Sequence, residues 1–432
     1  MLSAFVRAFR TPDLRRKLLF TIAMMSIFRV GSFLPTPGVS YPNVQTCIDE
    51  TAGNSDLLGL VNLFSGGALL QLSVFALGIM PYITASIIVQ LLRVVIPRFE
   101  ALHKEGQSGT AKLTQYTRYL TIALAILQST TVITVARTGQ LFQGCSVKVI
   151  PDDSIQTILL MVLVMTAGTG LIMWLGELIS ERGVGNGMSL LIFTSIAASF
   201  PTALWSIAGG DNGPTKFTIV LAIVVLVIGL VVFVEQSQRR IPVQYAKRMV
   251  GRKMYGGSST YIPIKINMAG VIPIIFASSL LQVPALLAQF GDQTASWKVW
   301  LSINLVDSAA PLHLLLYVAL IIFFCYFYTA ITFDPVEVAD NMKKYGGFIP
   351  GIRAGRPTAE YLSFVISRIT APGSVYLALV ALVPTIAFIL LDISRNIPFG
   401  GASILIVVGV GLETVKQIES QLQQRHYEGF LR

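Results

Sequence analysis

The sequence predicts an all-α polytopic membrane protein, and three observations predict it. Of 432 residues, 53% are hydrophobic and only 12% charged, about half the charge of an average soluble domain. Apolar runs of roughly 20 residues recur along the chain, each long enough to cross a hydrocarbon core about 30 Å thick. Lys and Arg collect in alternate loops, the pattern that fixes orientation in a bilayer. Because lipid offers no partners to backbone N–H and C=O groups, such runs fold as helices.

Ten spans are expected, at 18–34, 75–95, 117–136, 156–175, 187–205, 215–234, 268–290, 312–333, 373–391 and 400–417. The first follows a basic start, "TPDLRRKLLFTIAMMSIFRVGSFLPTPG", with no small-residue cleavage site before its prolines, and reads as an anchor. Of the 32 Lys and Arg, 26 fall on the side of the two termini, five on the opposite side, and Arg29 inside the first run. Both termini are therefore expected in the cytoplasm. The net charge of +10 concentrates on that face, where it serves topology and also suits anionic lipids or a large acidic partner such as ribosomal RNA.

Reactive constellations are missing from the sequence. It contains no G-x-x-x-x-G-K-[ST], H-E-x-x-H or G-x-S-x-G, and its three histidines, His103, His313 and His426, are far apart in the chain. No cofactor, metal or catalytic residue is expected. Ion-coupled transporters hold ionisable groups at mid-depth, whereas Arg29, Glu177 and Glu235 fall at span ends and read as interface residues. Cys47 and Cys145 both fall in outer loops, where two unpaired thiols are expected and a disulfide is the alternative.

Two long loops remain on the basic side. The 235–267 loop interleaves Arg239, Arg240, Lys247, Arg248, Arg252 and Lys253 with Tyr245, Tyr255 and Tyr261, and it reads as a β-like finger turning at the glycine pair 256–257. The 334–372 loop carries Arg353 between glycine and proline turns. Together they read as a docking platform.

One further stretch is too short to span. "DLLGLVNLFSGG" (56–67) is apolar, ends in a glycine pair, and stands as a half-helix in front of the second span. It belongs to "LFSGGALLQLSVFALGIMPYITASIIVQLL" (63–92), which with "LIMWLGELISERGVGNGMSLLIF" (171–193), "QRRIPVQYAKR" (238–248), "INMAGVIPIIFASS" (266–279), "KKYGGFIPGIRAGRPT" (343–358) and "FGGASILIVVGV" (399–410) resembles the SecY family, the channel subunits of the bacterial Sec translocon.

The resemblance implies ten spans in two pseudo-symmetric five-helix halves, 1–205 and 206–417, with a cytoplasmic tail at 418–432. It implies a protein-conducting channel in the plasma membrane that also releases hydrophobic segments sideways into lipid. The half-helix at about 57–67, with Leu57, Leu60, Val61, Leu63, Phe64 and the hinge Gly66 and Gly67, would be its plug. An apolar pore ring would fall on Ile79, Ile83, Met188, Ile192, Ile275 and Ile406; Met188 stands where isoleucine is expected. The lateral gate's polar cluster would fall on Thr84, Gln128 and Asn267, and partner docking on Lys247, Arg252, Lys253 and Arg353. The implied partners are SecE-type and SecG-type small subunits, the SecA motor ATPase, the ribosome, signal sequences, unfolded polypeptides and anionic lipids. Two other readings of the same residues are a solute transporter with a re-entrant loop and a non-conducting docking scaffold.

Overall fold

Prolines and local caps set where the helices begin and end. The computed structural model describes residues 9, 11–50, 65–139, 141, 145, 147–152, 154–208, 213–245, 248–250, 253–255, 259–287, 296–307, 310–390 and 401–428. Helix α1 (Pro12–Gly31) starts on a proline, whose missing N–H is not needed in a first turn, and a short α2 (Tyr41–Glu50) follows. Helix α3 (Met80–Val95) stops at Ile96, whose extended backbone is what a following proline enforces, so α4 (Pro97–Lys104) departs at 99°.

Helices α5 (Gln107–Arg137) and α6 (Ile155–Arg182) are long rods locked together near one end. Arg118 Nε and Nη2 donate to Glu177 Oε1 and Oε2 at 2.9 and 2.7 Å, a bidentate pair that gives the span-end Glu177 a specific role in helix packing. Helix α7 (Gly187–Ala208) crosses α6 at two glycines: a Cβ on Gly187 would collide with the Gly176 carbonyl, and one on Gly176 with Met188 Sδ. Helix α8 (Gly213–Gln236) then leads into strands β1 (Gln238–Tyr245), β2 (Arg248–Val250), β3 (Lys253–Tyr255) and β4 (Ser259–Lys265).

The remaining helices are α9 (Ile272–Leu287), α10 (Ser296–Leu301), which runs into a π-turn at Ser302–Val306, α11 (Pro311–Thr332), α12 (Pro335–Lys344), α13 (Arg356–Leu390) and α14 (Gly401–Glu428). A two-residue strand, β5 (Gly347–Phe348), precedes α13. Each of the ten apolar runs falls on a helix: α1, α3, α5, α6, α7, α8, α9, α11, α13 and α14. Six helices are long and apolar enough to cross a membrane, and α3 with α4 would make a seventh span. Helix α5 packs on α3 and α6, and α1 on α6 and α7, while α11 packs on α9 and α13, and α14 on α8 and α13; contacts of α7 with α8 and α14, and of α3 with α9, join the two groups.

Four expectations need correction. The second span begins at Met80 rather than Phe75, because residues 66–79 form turns, with Gly78 in the left-handed region and Pro81 placed for a first helical turn. The finger exists, since β1 and β4 pair from Gln238↔Lys265 to Gln244↔Ser259, but its inner hairpin reverses between Val250 and Lys253, ahead of the glycine pair. The 334–372 loop is largely helical: Asp334 Oδ1 accepts from the Val336 N–H at 2.8 Å, capping α12, and α13 continues through Pro372. Cys47 and Cys145 form a disulfide. Their Cα atoms are 5.1 Å apart because α2, the turns at Leu69 and Leu72, the end of α5 and Ile150 share one small core.

The disulfide can be counted chemically. Labelled with maleimide-polyethylene glycol under denaturing conditions, unreduced protein is expected to take one adduct, on Cys325, and reduced protein three; three adducts without reductant would contradict the bond.

Candidate functional site

Four helices converge on one apolar cluster. Ile79 and Ile83 lie one turn apart at the start of α3, and Met188 and Ile192 one turn apart at the start of α7, so each pair shares a helix face. Ile275 sits in the first turn of α9 and Ile406 in α14. Five of the six are buried in the central core and Met188 packs against it, with Ile406 fully inaccessible. The helix starts have local causes. Pro81 opens α3, and Asn186 Oδ1 accepts from the Met188 N–H at 3.1 Å to open α7. All six candidate ring residues therefore belong to one extended apolar core, which α1, α6, α8, α11 and α13 also line.

The glycine pair before α3 is held from two sides. Gly66 and Gly67 have φ of 67° and 91°, values that only glycine adopts without strain. Arg29 Nη1 donates to the Gly66 carbonyl at 2.6 Å, and a Cβ on Gly66 would lie 2.8 Å from that nitrogen and 3.1 Å from Ser195 Cα. Beyond the pair the chain is strapped to the segment after α1: Val74 N–H donates to Leu34 O at 2.8 Å, Thr36 N–H to Leu72 O at 3.0 Å, and Phe75 stacks on Phe28. Leu57, Leu60, Val61, Leu63 and Phe64 lie outside the described residues. Sequence reasoning placed Arg29 at a span end but not its partner; the signal was a lone cation in an otherwise uncharged run.

The candidate gate residues bond locally. Thr84 donates to the Met80 carbonyl in its own helix, and Gln128 is half-buried on α5. Asn267 is buried, and its Nδ2 donates to Glu235 Oε1 at 2.6 Å and to the Gly270 carbonyl at 3.0 Å. Glu235 thus fastens the end of α8 to the residue that introduces α9. Helix α3, which bears Thr84, touches α9 directly.

Beyond this core the finger and the 334–372 segment form one surface. Strand β5 pairs with Gln244 and Tyr245 of β1, and alternate residues Ile241, Val243 and Ile264 pack on Met342 of α12 and on Leu362, Val365 and Ile366 of α13. Arg353 is exposed, Lys253 lies on β3, and Arg240 stacks over Tyr261 at 4.8 Å. Lys247 and Arg252 lie outside the described residues. Among the described residues no three His, Cys, Asp or Glu side chains gather to hold a metal ion.

An extended apolar core, an irregular segment strapped beside it and a basic hairpin define a polytopic helical membrane protein. A solved protein-conducting channel superposes with a TM-score of 0.61 at 18% identity, covering 94% of this chain and 91% of that one. Sec61 in a canine ribosome–channel complex from the endoplasmic reticulum superposes at 0.58 and 17%, with the same coverage. The SecY family model matches residues 73–415. The protein translocase subunits SecY of Streptomyces scabiei and Mycobacterium tuberculosis are 68% and 59% identical, each over the full length of both chains. The chain belongs to the SecY family.

The Asn267–Glu235 bond makes a stability prediction. Asn267→Ala leaves a half-buried carboxylate without its amide donor, a loss of about 1–3 kcal/mol. The thermal midpoint in detergent is expected to fall by several degrees, and an unchanged midpoint would show that the bond contributes nothing.

Proposed function

We propose that this chain is the protein-conducting channel of the general secretory pathway in the plasma membrane, sealed at rest by an apolar ring of Ile79, Ile83, Met188, Ile192, Ile275 and Ile406 and by a plug at about 57–67. The single observation that supports the reading is that all six residues, carried by four helices, belong to one continuous apolar core. A narrow aliphatic constriction holds water poorly and so blocks ions, yet it makes no sequence-specific contact with a polypeptide passing through. Met188, unbranched and flexible, lets one side of the ring conform to side chains of different size.

With ten spans in two halves and both termini cytoplasmic, the Cys47–Cys145 disulfide would fall on the side opposite the hairpin platform, where an oxidising compartment would keep it. A signal sequence would part α3 from α9 near Thr84, Gln128 and Asn267 and pass hydrophobic segments into lipid; individual polar contacts between membrane helices are worth about 1 kcal/mol, within reach of such a ligand. Because the chain is a channel subunit, the driving force would come from a SecA-type motor ATPase or a translating ribosome docked on the platform through Lys247, Arg252, Lys253 and Arg353. SecE-type and SecG-type subunits would brace the exposed apolar faces of the bundle.

The test is ion flux through vesicles containing the full chain or a variant lacking residues 57–67. Deletion is expected to turn a sealed protein into a leaky one of large conductance; two equally tight proteins, both folded, would remove the plug from the account.

A further inference from the structure

We infer that α10 and the π-turn after it form an interfacial foot, seated among the lipid headgroups of the leaflet opposite the finger and α12. The inference needs only a membrane-spanning fold and stands apart from the channel reading. Chain connectivity places the foot at a bilayer surface. Helix α11, which lies in one of the segments long and apolar enough to cross a membrane, has 22 residues. At 1.5 Å per residue it is about 33 Å long, so its first residue, Pro311, and its last, next to α12, lie on opposite sides of a hydrocarbon core. The foot, Ser296–Val306, reaches Pro311 through a turn in which the Ala310 N–H donates to Asp307 O at 3.1 Å. It therefore lies where the apolar core gives way to headgroups.

Its two faces fit that level. Trp297 and Trp300 stand one turn apart on α10, and Ile303 follows at the same spacing in the π-turn; they are 53%, 53% and 61% exposed. The apolar exposure continues onto Leu312 and Leu315 in the first turns of α11. A contiguous apolar patch of this kind marks an interaction surface. Two of the chain's four tryptophans stand on it, and indole suits one partner in particular, because its ring packs on acyl chains while its N–H reaches headgroups and water. Lys298, between the two tryptophans, is buried on the protein side. That side is fastened: buried His313 at the start of α11 donates from Nδ1 to the Leu305 carbonyl at 2.7 Å, the Asp307 N–H donates to Ser302 O at 3.1 Å, and the turn packs on both α9 and α11. The bilayer surface thereby fixes the depth of α9 and α11 together.

The test is lipid quenching of tryptophan fluorescence in phosphatidylcholine vesicles containing the full chain with Trp174→Phe and Trp205→Phe, which leaves Trp297 and Trp300 as its indoles. The probes are phosphatidylcholines brominated near the headgroup end or near the methyl end of their acyl chains. Bromine near the headgroup is expected to remove about half or more of the emission and bromine at the methyl end much less, because an interfacial helix sits roughly 5–10 Å into the boundary. Acrylamide in the water should quench only weakly. Emission untouched by either lipid and fully open to acrylamide would place the face in water and overturn the foot. Stronger quenching from the methyl end would bury the face in the hydrocarbon core, and loss of lipid quenching on co-reconstitution with the proposed small membrane subunits would give it to protein; either result also overturns it. Should the double phenylalanine variant fail to fold, the same lipids serve with the parent chain and with Trp297→Phe/Trp300→Phe. The difference between those two is then expected to carry the near-headgroup quenching, and no difference would contradict the foot.

Discussion

Hydrocarbon offers no hydrogen bonds, and that constraint decides which parts of this chain can be irregular. Helices satisfy their own backbones; the turns at residues 66–79 do so only in part, through bonds such as Ser73 N–H to Ala68 O and Gly78 N–H to Phe75 O, and they lie beside the central apolar cluster. They are tolerable because neighbouring elements answer them group by group. Arg29 takes the Gly66 carbonyl, Leu34 and Thr36 take backbone groups of Val74 and Leu72, and Phe28 covers Phe75. The segment is thereby held by a few identifiable bonds rather than by the continuous ladder of a helix.

The same economy shapes the closed state. The residues proposed to seal it are ordinary core side chains near helix starts, where Pro81 and Asn186 fix the entering chain. Aliphatic packing is non-directional, so a junction of this kind can open around any polypeptide and close again without a specific partner to find. Directional bonds sit around it instead, in Arg118–Glu177 within one helix group, Asn267–Glu235 within the other, and the Cys47–Cys145 bridge beside the turns at Leu69 and Leu72. These tie rigid pieces together and leave the α3–α9 boundary bound mainly by packing.

Much of the fold was legible because hydropathy is local: each of the ten apolar runs falls on a helix, although α3 starts five residues after its run and α13 starts well before its own. Long-range pairings were not. The disulfide closes 98 residues of separation and the Arg29–Gly66 bond 37, and neither spacing carries a signature. The helical 334–372 segment was readable in part, since Asp334 and Pro335 followed by Glu337 is a helix-start pattern; Pro372 and the basic content argued against continuation, and packing of Leu362, Val365 and Ile366 under the finger outweighed both. The ring residues look like any buried isoleucine in sequence. Only the resemblance to known channels singled them out, and the structure then showed that they share one cluster.

The central proposal is that the path runs past these six residues of the apolar core. Site-specific photocrosslinkers at Ile79 and Ile406 of the full chain, tested against a secretory protein arrested midway across the membrane, address it directly. The account predicts adducts from both positions to the arrested polypeptide, and adducts only within the chain when no polypeptide is present. Continued translocation with neither position ever reaching the polypeptide would place the path elsewhere.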